Sequence, residues 1–119
     1  MQNPHGIEAR PWGLFEVLDA KPGWCVKRIE VRPGERLSLQ RHALREEQWV
    51  VVQGVASVQL DSRSFMLAPG EAIEIPLRSW HRLANHGDGP LVLIEVQTGV
   101  ECRESDIERA EDDYGRRSP

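Results

Sequence analysis

The stretch from Gly34 to Gly54, GERLSLQRHALREEQWVVVQG, decides the fold. Side chains alternate between the two faces of a β-strand, so an extended chain here places polar groups together on one face. That polar row comprises Arg36, Ser38, Gln40 and His42, and the opposite face carries Leu37, Leu39 and Arg41. In the next predicted strand, QWVVVQ, the face of Trp49 is shared by Glu47. We therefore expect two neighbouring strands to direct a carboxamide, an imidazole and a carboxylate at one interior point.

Another imidazole follows in GEAIEIPLRSWHRLAN, where a predicted strand opens at His81. The candidate metal ligands are Gln40, His42, Glu47 and His81. Their nitrogen and oxygen atoms suit a borderline divalent ion, with zinc expected first and manganese, iron, cobalt or nickel also compatible. Any one of these residues alone would be read as an ordinary polar surface residue. Four such residues on matching strand faces, each bracketed by glycines, favour a metal site.

Outward from this stretch, short strands alternate with Gly and Pro turns, a pattern typical of an all-β sandwich or barrel. Residues 10–19 form a predicted first strand, and residues 61–64 a tight hairpin turn. No helical period occurs before residue 103. SDIERAEDD predicts a helical turn or two with Ser105 as its cap.

Length and charge limit the function classes. The 119 residues predict one domain over 10–116, with a flexible tail over 1–9, which includes His5, and a short tail over 117–119. No apolar run approaches a membrane span, and no signal peptide is visible, so we expect a cytoplasmic protein. A net charge of −4 argues against binding to nucleic acid or anionic membranes. Cys25 and Cys102 are expected to be free thiols.

Two spacings resemble the motifs of the cupin family. The first runs from Gly34 through Gln40, His42 and Glu47 to Gly54, with Gln40 in place of the motif's first His. The second contains Gly70, Pro76, His81 and Asn85, with Arg78 where the motif carries Gly. The resemblance implies an all-β cupin double-stranded β-helix, a jelly-roll barrel. It also implies one divalent metal ion at the four matching positions.

More narrowly, LSLQRHALREEQW is similar to the cupin domain of type II mannose-6-phosphate isomerases, as are RPWGLFEVLD, VKRIEVRPGERLSLQ and EDDYGR. That domain usually follows a mannose-1-phosphate guanylyltransferase domain. The resemblance implies a metal-dependent isomerase that interconverts mannose 6-phosphate and fructose 6-phosphate. This chain departs from the family motif at two positions, with Leu44 and Gln48 where the family has histidines.

An isomerase of this kind needs cations for the phosphate and a base for the proton. The candidate phosphate-binding residues are Lys27, Arg36, Arg45 and Arg82. The candidate bases are Lys27, Glu46 and Glu74. In WCVKRIEVR the alternation directs Lys27 inward with Ile29 and Val31, either to reach a barrel mouth or to serve the site.

Three functions stay open: the isomerase, a metal-binding module that holds a sugar phosphate or nucleotide sugar without turnover, and a metal-dependent cupin enzyme of another class, such as an oxygenase. We also expect a homodimer. If Gln40 and His42 point into the barrel, Leu37 and Leu39 lie outside and need cover. A second subunit would supply it, or the C-terminal segment would cover them instead.

Overall fold

The computed structural model describes residues 6–116, which form eleven β-strands. The strands are β1 (Ile7–Arg10), β2 (Gly13–Lys21), β3 (Trp24–Val31), β4 (Leu39–Arg41), β5 (Arg45–Gln53), β6 (Ala56–Leu60), β7 (Arg63–Leu67), β8 (Ala72–Ile75), β9 (His81–Ala84), β10 (Leu91–Gly99) and β11 (Glu108–Glu111). One antiparallel sheet has the order β1-β2-β3-β10-β5-β8 and the other β11-β4-β9-β6-β7. The predicted all-β architecture is confirmed.

The larger sheet changes from apolar to polar along its inward face. Ile29, Leu93 and Val51 lie side by side on three adjacent strands and are buried in the core. The next inward row is Lys27, Glu95 and Trp49, and the row beyond it is Cys25, Gln97 and Glu47. All six of these side chains are buried. The barrel therefore has one hydrocarbon-filled end and one end lined by polar groups.

The C-terminal segment forms a strand where the sequence predicts a helical turn. Within residues 6–116 there is no helix, and Ser105 therefore caps none. Instead β11 pairs with β4, with Arg109 opposite Gln40. The short strand β4 would otherwise leave its edge without ladder hydrogen bonds, and pairing with it outweighs the weak helical propensity of this segment. Residues 6–116 also contain no helix long and apolar enough to cross a membrane.

The first strand also begins earlier than expected. Three of the four residues of β1, 7–9, lie where the sequence predicts a flexible tail, and the strand pairs with β2 of the same chain. A turn at Pro11 separates the two strands, and β2 opens at Gly13. A Cβ atom at Gly13 would lie 2.0 Å from the carbonyl oxygen of Glu30, so only glycine fits this close approach. His5 and residues 117–119 lie outside the described residues.

Strict alternation fails just before β4. Residues 36–38 are not part of a strand beyond an isolated bridge at Arg36, so the expected parity does not hold there. Leu37 lines the interior cavity and packs against the core, and Leu39 lies opposite Glu111 of β11. The reason for placing a dimer interface at these two leucines is therefore lost. The homodimer itself stays a prediction.

Glycine positions of the two motifs adopt the left-handed backbone region. The φ angles of Gly34, Gly54 and Gly70 are 82°, 83° and 88°. Arg78, which replaces a motif glycine, adopts a φ of 61°. Its backbone N–H donates to the carbonyl of His42 at 2.9 Å, and this hydrogen bond helps to hold the turn. A glycine would adopt this φ angle with less strain than Arg78 does.

Candidate metal centre

A cluster of three side chains occupies the polar end of the barrel. His42 follows β4, Glu47 lies in β5, and His81 opens β9, so the two sheets contribute from opposite sides. The potential ligand atoms of these residues all lie within 4.8 Å of one another. Their exposed fractions are 3%, 2% and 3%. The cluster could hold a metal ion whose charge would compensate the buried carboxylate.

Both imidazoles are oriented by backbone carbonyls. The Nδ1 of His42 lies 2.7 Å from the carbonyl oxygen of Asp106, and the Nδ1 of His81 lies 2.9 Å from that of Ser79. A hydrogen on each Nδ1 satisfies these contacts and leaves each Nε2 lone pair directed at the cluster. The Nε2 atoms lie 3.2 and 3.9 Å from the carboxylate oxygens of Glu47. In this tautomer each Nε2 is free to bind a metal ion.

The protonation states match this arrangement. Burial lowers the pKa of His42 to about 4 and also lowers that of His81, so both rings are neutral at pH 7. Burial alone would raise the pKa of Glu47, but the charges of His42, Arg45 and His81 outweigh it and lower the pKa, and of these three only Arg45 stays charged at pH 7. Two neutral imidazoles and an ionised carboxylate form a suitable donor set for a divalent cation.

Gln40 lies next to the cluster. It is the cross-strand partner of His81, and its side chain lines the same cavity. Its Nε2 donates to the hydroxyl of Ser38 at 3.2 Å, which orients the carboxamide. The carboxamide oxygen is the atom that could act as a ligand. The structure thus brings all four predicted metal ligands to one end of the barrel.

Arg45 contacts the cluster directly. Its Nε donates to Glu47 at 3.0 Å, and one terminal nitrogen lies 3.3 Å from the Nε2 of His42. The other terminal nitrogen donates to the carbonyl of Arg103 at 2.9 Å. With 4% of its side chain exposed, this guanidinium balances the Glu47 charge inside the barrel.

A second buried carboxylate, Glu95, was not among the candidate residues predicted from the sequence. The indole N–H of Trp49 donates to both Glu47 and Glu95, at 3.0 Å each, and links the two acids. Burial, followed by the Glu47 charge, raises the pKa of Glu95 to about 8. Gln97 donates to Glu95 at 2.7 Å, while its own carboxamide oxygen is buried without a hydrogen-bond partner. If the Gln97 carboxamide is rotated by 180°, its oxygen faces Glu95, and a protonated Glu95 donates a hydrogen bond to that oxygen.

The predicted inward position of Lys27 agrees with the structure. Lys27 is 3% exposed, its Nζ lies 4.3 Å from the ring centroid of Phe15, and it pairs with Glu104. Burial is the main cause that lowers its pKa. Its side chain lines the cavity together with Arg45 and Glu95.

Four of the predicted substrate-binding or base residues lie elsewhere. Arg36 forms a bidentate pair with Asp113 near the surface. Arg82 is buried but donates to the carbonyl of Leu37 and to Glu111, so it attaches β11 to the sheet. Strand parity places Glu46 on the opposite face of β5 from Glu47, and Glu74 is exposed on β8. None of these four lines the cavity, because each alternates to the outer face or is paired with the C-terminal segment.

A signal for Glu95 was present in the sequence. It interrupts the apolar run LVLIEVQ and shares the face of Leu91 and Leu93, which marks an acid directed into the core. By contrast, nothing local marks Arg109, Arg116 or Arg10, which also line the cavity. Arg109 lies in the segment with a predicted helical turn, and its position depends on pairing with β4.

The cavity is small and open. Its volume is about 70 Å³, enough for several water molecules but below the usual size of a site that encloses a whole ligand. An ion and the polar end of a small molecule fit beside the cluster. The remainder of a larger ligand would lie in the mouth.

Comparison with known proteins identifies the family. The chain matches the family described as mannose-6-phosphate isomerase C-terminal over residues 1–112. It is 50% identical over 107 residues to the alginate biosynthesis protein AlgA of Pseudomonas aeruginosa, and 49% identical over 107 residues to the mannose-1-phosphate guanylyltransferase ManC of Salmonella typhimurium. Each alignment covers 90% of this chain and 22% of the relative, so the chain spans less than a quarter of these curated relatives.

Solved structures show the same fold. The capsular polysaccharide assembling protein CapF of Staphylococcus aureus matches with a TM-score of 0.76 and 21% identity, over 92% of this chain and 35% of that one. The cupin domain of Schizosaccharomyces pombe Cnp3 matches with a TM-score of 0.70 and 15% identity, over 72% and 64% of the two chains. The predicted cupin double-stranded β-helix is confirmed. The chain belongs to the mannose-6-phosphate isomerase C-terminal family.

Proposed function

We propose that this chain is a metal-dependent cupin that interconverts mannose 6-phosphate and fructose 6-phosphate. The observation that carries the proposal is the buried cluster of His42, Glu47 and His81, in which both Nε2 atoms and the carboxylate converge, while Glu47 and His81 also line an open cavity. The similarity to the family and to its curated relatives supports the choice of substrate.

The residues present fit one divalent ion. Gln40, His42, Glu47 and His81 would hold it, with zinc the first candidate and manganese, cobalt, nickel or iron as alternatives. When bound, such an ion supplies a Lewis acid that polarises a carbonyl oxygen. Arg45 now donates to Glu47 at 3.0 Å and would share that carboxylate with the ion.

Proton movement between C1 and C2 requires a group on the cavity wall. Of the predicted bases, Lys27 lines the cavity, whereas Glu46 and Glu74 do not. Glu95 is a second candidate by position, since it lines the same wall and is held by Trp49 and Gln97. We propose that Glu95 or Lys27 exchanges the substrate proton, with Arg45 orienting the sugar oxygens beside the cluster.

Two departures from the family motif favour a second candidate function. Leu44 and Gln48 replace histidines that the resembling family carries, and the Gln48 side chain is exposed on the outer face of β5. A chain that keeps the metal site without the full catalytic set would bind a sugar phosphate without turnover. Isomerisation assays separate this binding module from the enzyme.

We also propose that the protein is a homodimer. Its interface would lie on the outer face of β5 and not at Leu37. The outer face of β5 carries Val50 and Val52, which are 40% and 54% exposed. Light scattering of the purified protein tests the dimer. A monomer at all accessible concentrations would contradict it.

The deciding experiment is a coupled assay for fructose 6-phosphate formed from mannose 6-phosphate. Protein stripped with a chelator is reloaded separately with zinc, cobalt, manganese and nickel, and the metal content of each sample is measured. We expect turnover that depends on the metal and is lost in Glu47→Ala. Stoichiometric loading with no turnover for any metal would reject the isomerase and support the binding module.

A further inference from the structure

Three arginines from both ends of the chain meet at the mouth of the cavity. Arg10 ends β1, Arg109 lies in β11, and Arg116 follows β11. All three line the cavity that contains Glu47 and His81. None was among the phosphate-binding candidates predicted from the sequence, because their proximity depends on how the terminal strands pair.

The sheet register places Arg109 at a defined distance from the metal cluster. Arg109 is the partner of Gln40, and Gln40 is the partner of His81, so these three residues form one row across β11, β4 and β9. Adjacent strands are about 4.8 Å apart, which puts the backbone of Arg109 about 10 Å from that of His81. Both side chains line the same cavity. A six-carbon sugar phosphate is long enough to extend from one to the other.

Neighbouring groups hold the guanidinium groups of Arg10 and Arg116 in place. Arg10 donates to Glu8 at 3.3 Å and lies 4.7 Å from the ring centroid of Phe15. Arg116 forms two hydrogen bonds of 3.0 Å with Asp112. These contacts orient the cations before any ligand arrives, which reduces the ordering that binding requires.

The arginines are close enough to affect one another. Burial lowers the pKa of Arg109, and the charges of Arg116 and then, more weakly, Arg10 lower it further, while Asp112 opposes the shift. Arginine nevertheless stays protonated at any physiological pH. Bringing like charges together costs free energy, and a bound anion would recover that free energy.

We propose that Arg10, Arg109 and Arg116 form a subsite for the phosphate of a phosphate monoester whose sugar oxygens lie beside the metal cluster. The inference rests on the function proposed above, and it says where the phosphate group of the sugar phosphate binds. A phosphate monoester carries nearly two negative charges at pH 7 and accepts several hydrogen bonds. Guanidinium groups suit it because each presents parallel N–H donors to two of its oxygens.

The test uses Arg109→Gln in the metal-loaded protein. Isothermal titration calorimetry measures the Kd of mannose 6-phosphate, inorganic phosphate and mannose. Removing one charged hydrogen-bonding group should weaken binding of mannose 6-phosphate roughly ten- to hundredfold and leave mannose unaffected. Arg109→Lys should lose less, because it keeps the charge but not the paired donors.

Arg63→Gln is the matched control. Arg63 stacks on Phe65 in another part of the smaller sheet and does not line the cavity, so the same loss of charge there should leave all three Kd values unchanged. Metal content and melting temperature are measured for every variant. Arg10→Gln gives a second test if Arg109→Gln does not fold.

The outcomes separate this subsite from the isomerase. Wild-type protein that binds mannose 6-phosphate through Arg109 without converting it would support the subsite and reject the proposed reaction. Turnover with an unchanged Kd and KM in folded, metal-loaded Arg109→Gln and Arg10→Gln would overturn the subsite and keep the reaction. Wild-type protein that binds neither mannose 6-phosphate nor phosphate would overturn the subsite as well.

Discussion

The imidazole of His42 hydrogen-bonds to the backbone carbonyl of Asp106, 64 residues further along the chain, at 2.7 Å. The carboxylate of Asp106 in turn accepts hydrogen bonds from the backbone N–H groups of Ala43 at 3.0 Å and Leu44 at 2.9 Å. One residue of the C-terminal segment therefore orients a cluster imidazole and fixes the loop that follows it. The segment is a structural part of the candidate metal centre.

Asp106→Ala should loosen this loop. The two N–H groups lose their acceptor, and we expect a destabilisation of about 1–3 kcal/mol in chemical denaturation. Metal affinity should fall about ten- to a hundredfold, because the carbonyl that orients His42 is no longer held. Glu108→Ala is the control, since it removes an exposed pair with Arg41 and should cost at most about 1 kcal/mol. Equal metal affinities in the two variants would count against the orienting role.

His42→Ala should abolish stoichiometric metal binding and leave the fold intact. The substitution removes one of the two imidazole ligands and leaves Gln40, Glu47 and His81, with a single nitrogen donor, to hold the ion. Elemental analysis after dialysis measures the metal content, and circular dichroism checks the fold. His86→Ala, at an exposed turn, should keep its metal. Full metal content in folded His42→Ala would reject the assignment.

Arg45→Gln should destabilise the metal-free protein more than the metal-loaded protein. Without the guanidinium, the buried Glu47 carboxylate loses its cationic partner, and breaking such a pair costs about 3–5 kcal/mol. A bound divalent cation would balance the same charge. Melting temperatures are measured in chelator and in zinc, with Arg41→Gln as the exposed control. An equal loss of stability in both conditions would show that Arg45 and the metal do not share Glu47.

In the metal-free protein, the free energy of unfolding should fall between pH 6.5 and pH 8. Glu95→Gln should make this fall smaller. Folding raises the pKa of Glu95 to about 8, with Glu47, Lys27 and Arg45 as its charged neighbours. In this range the folded state holds a proton that the unfolded state has released, so the free energy of unfolding falls as the pH rises. The effect is about 1.5 kcal/mol between pH 6.5 and 8, because Glu95 is half ionised at the upper end of this range.

The carboxamide cannot ionise, so this contribution disappears from the variant. Urea denaturation at the two pH values measures it, and Glu74→Gln, on the exposed side of β8, is the control. His42 has the opposite sign, because its lowered pKa removes stability only as the pH falls below about 6.5. Parallel pH profiles for wild-type protein and Glu95→Gln would contradict the raised pKa.

Much of the fold follows from local patterns. Alternation in WCVKRIEVR predicted the inward Lys27, and the motif glycines marked turns that adopt positive φ angles. Glu95 was open to prediction from its place in an apolar run, whereas the cross-strand row of Arg109, Gln40 and His81 was not. That row depends on which strand edge β11 pairs with, here the edge of β4. The local sequence preference of β11 does not specify this partner.

The sequence by itself determined the all-β fold, the family, and the four residues proposed as metal ligands, because alternation and glycine spacing depend on neighbours along the chain. Only the tertiary structure decided which charges enter the cavity. Arg36 and Arg82 are paired with the C-terminal segment, while Arg10, Arg109 and Arg116 line the cavity mouth. Ion pairs and strand pairing between distant segments determine these positions, and a pattern read along one segment does not contain them.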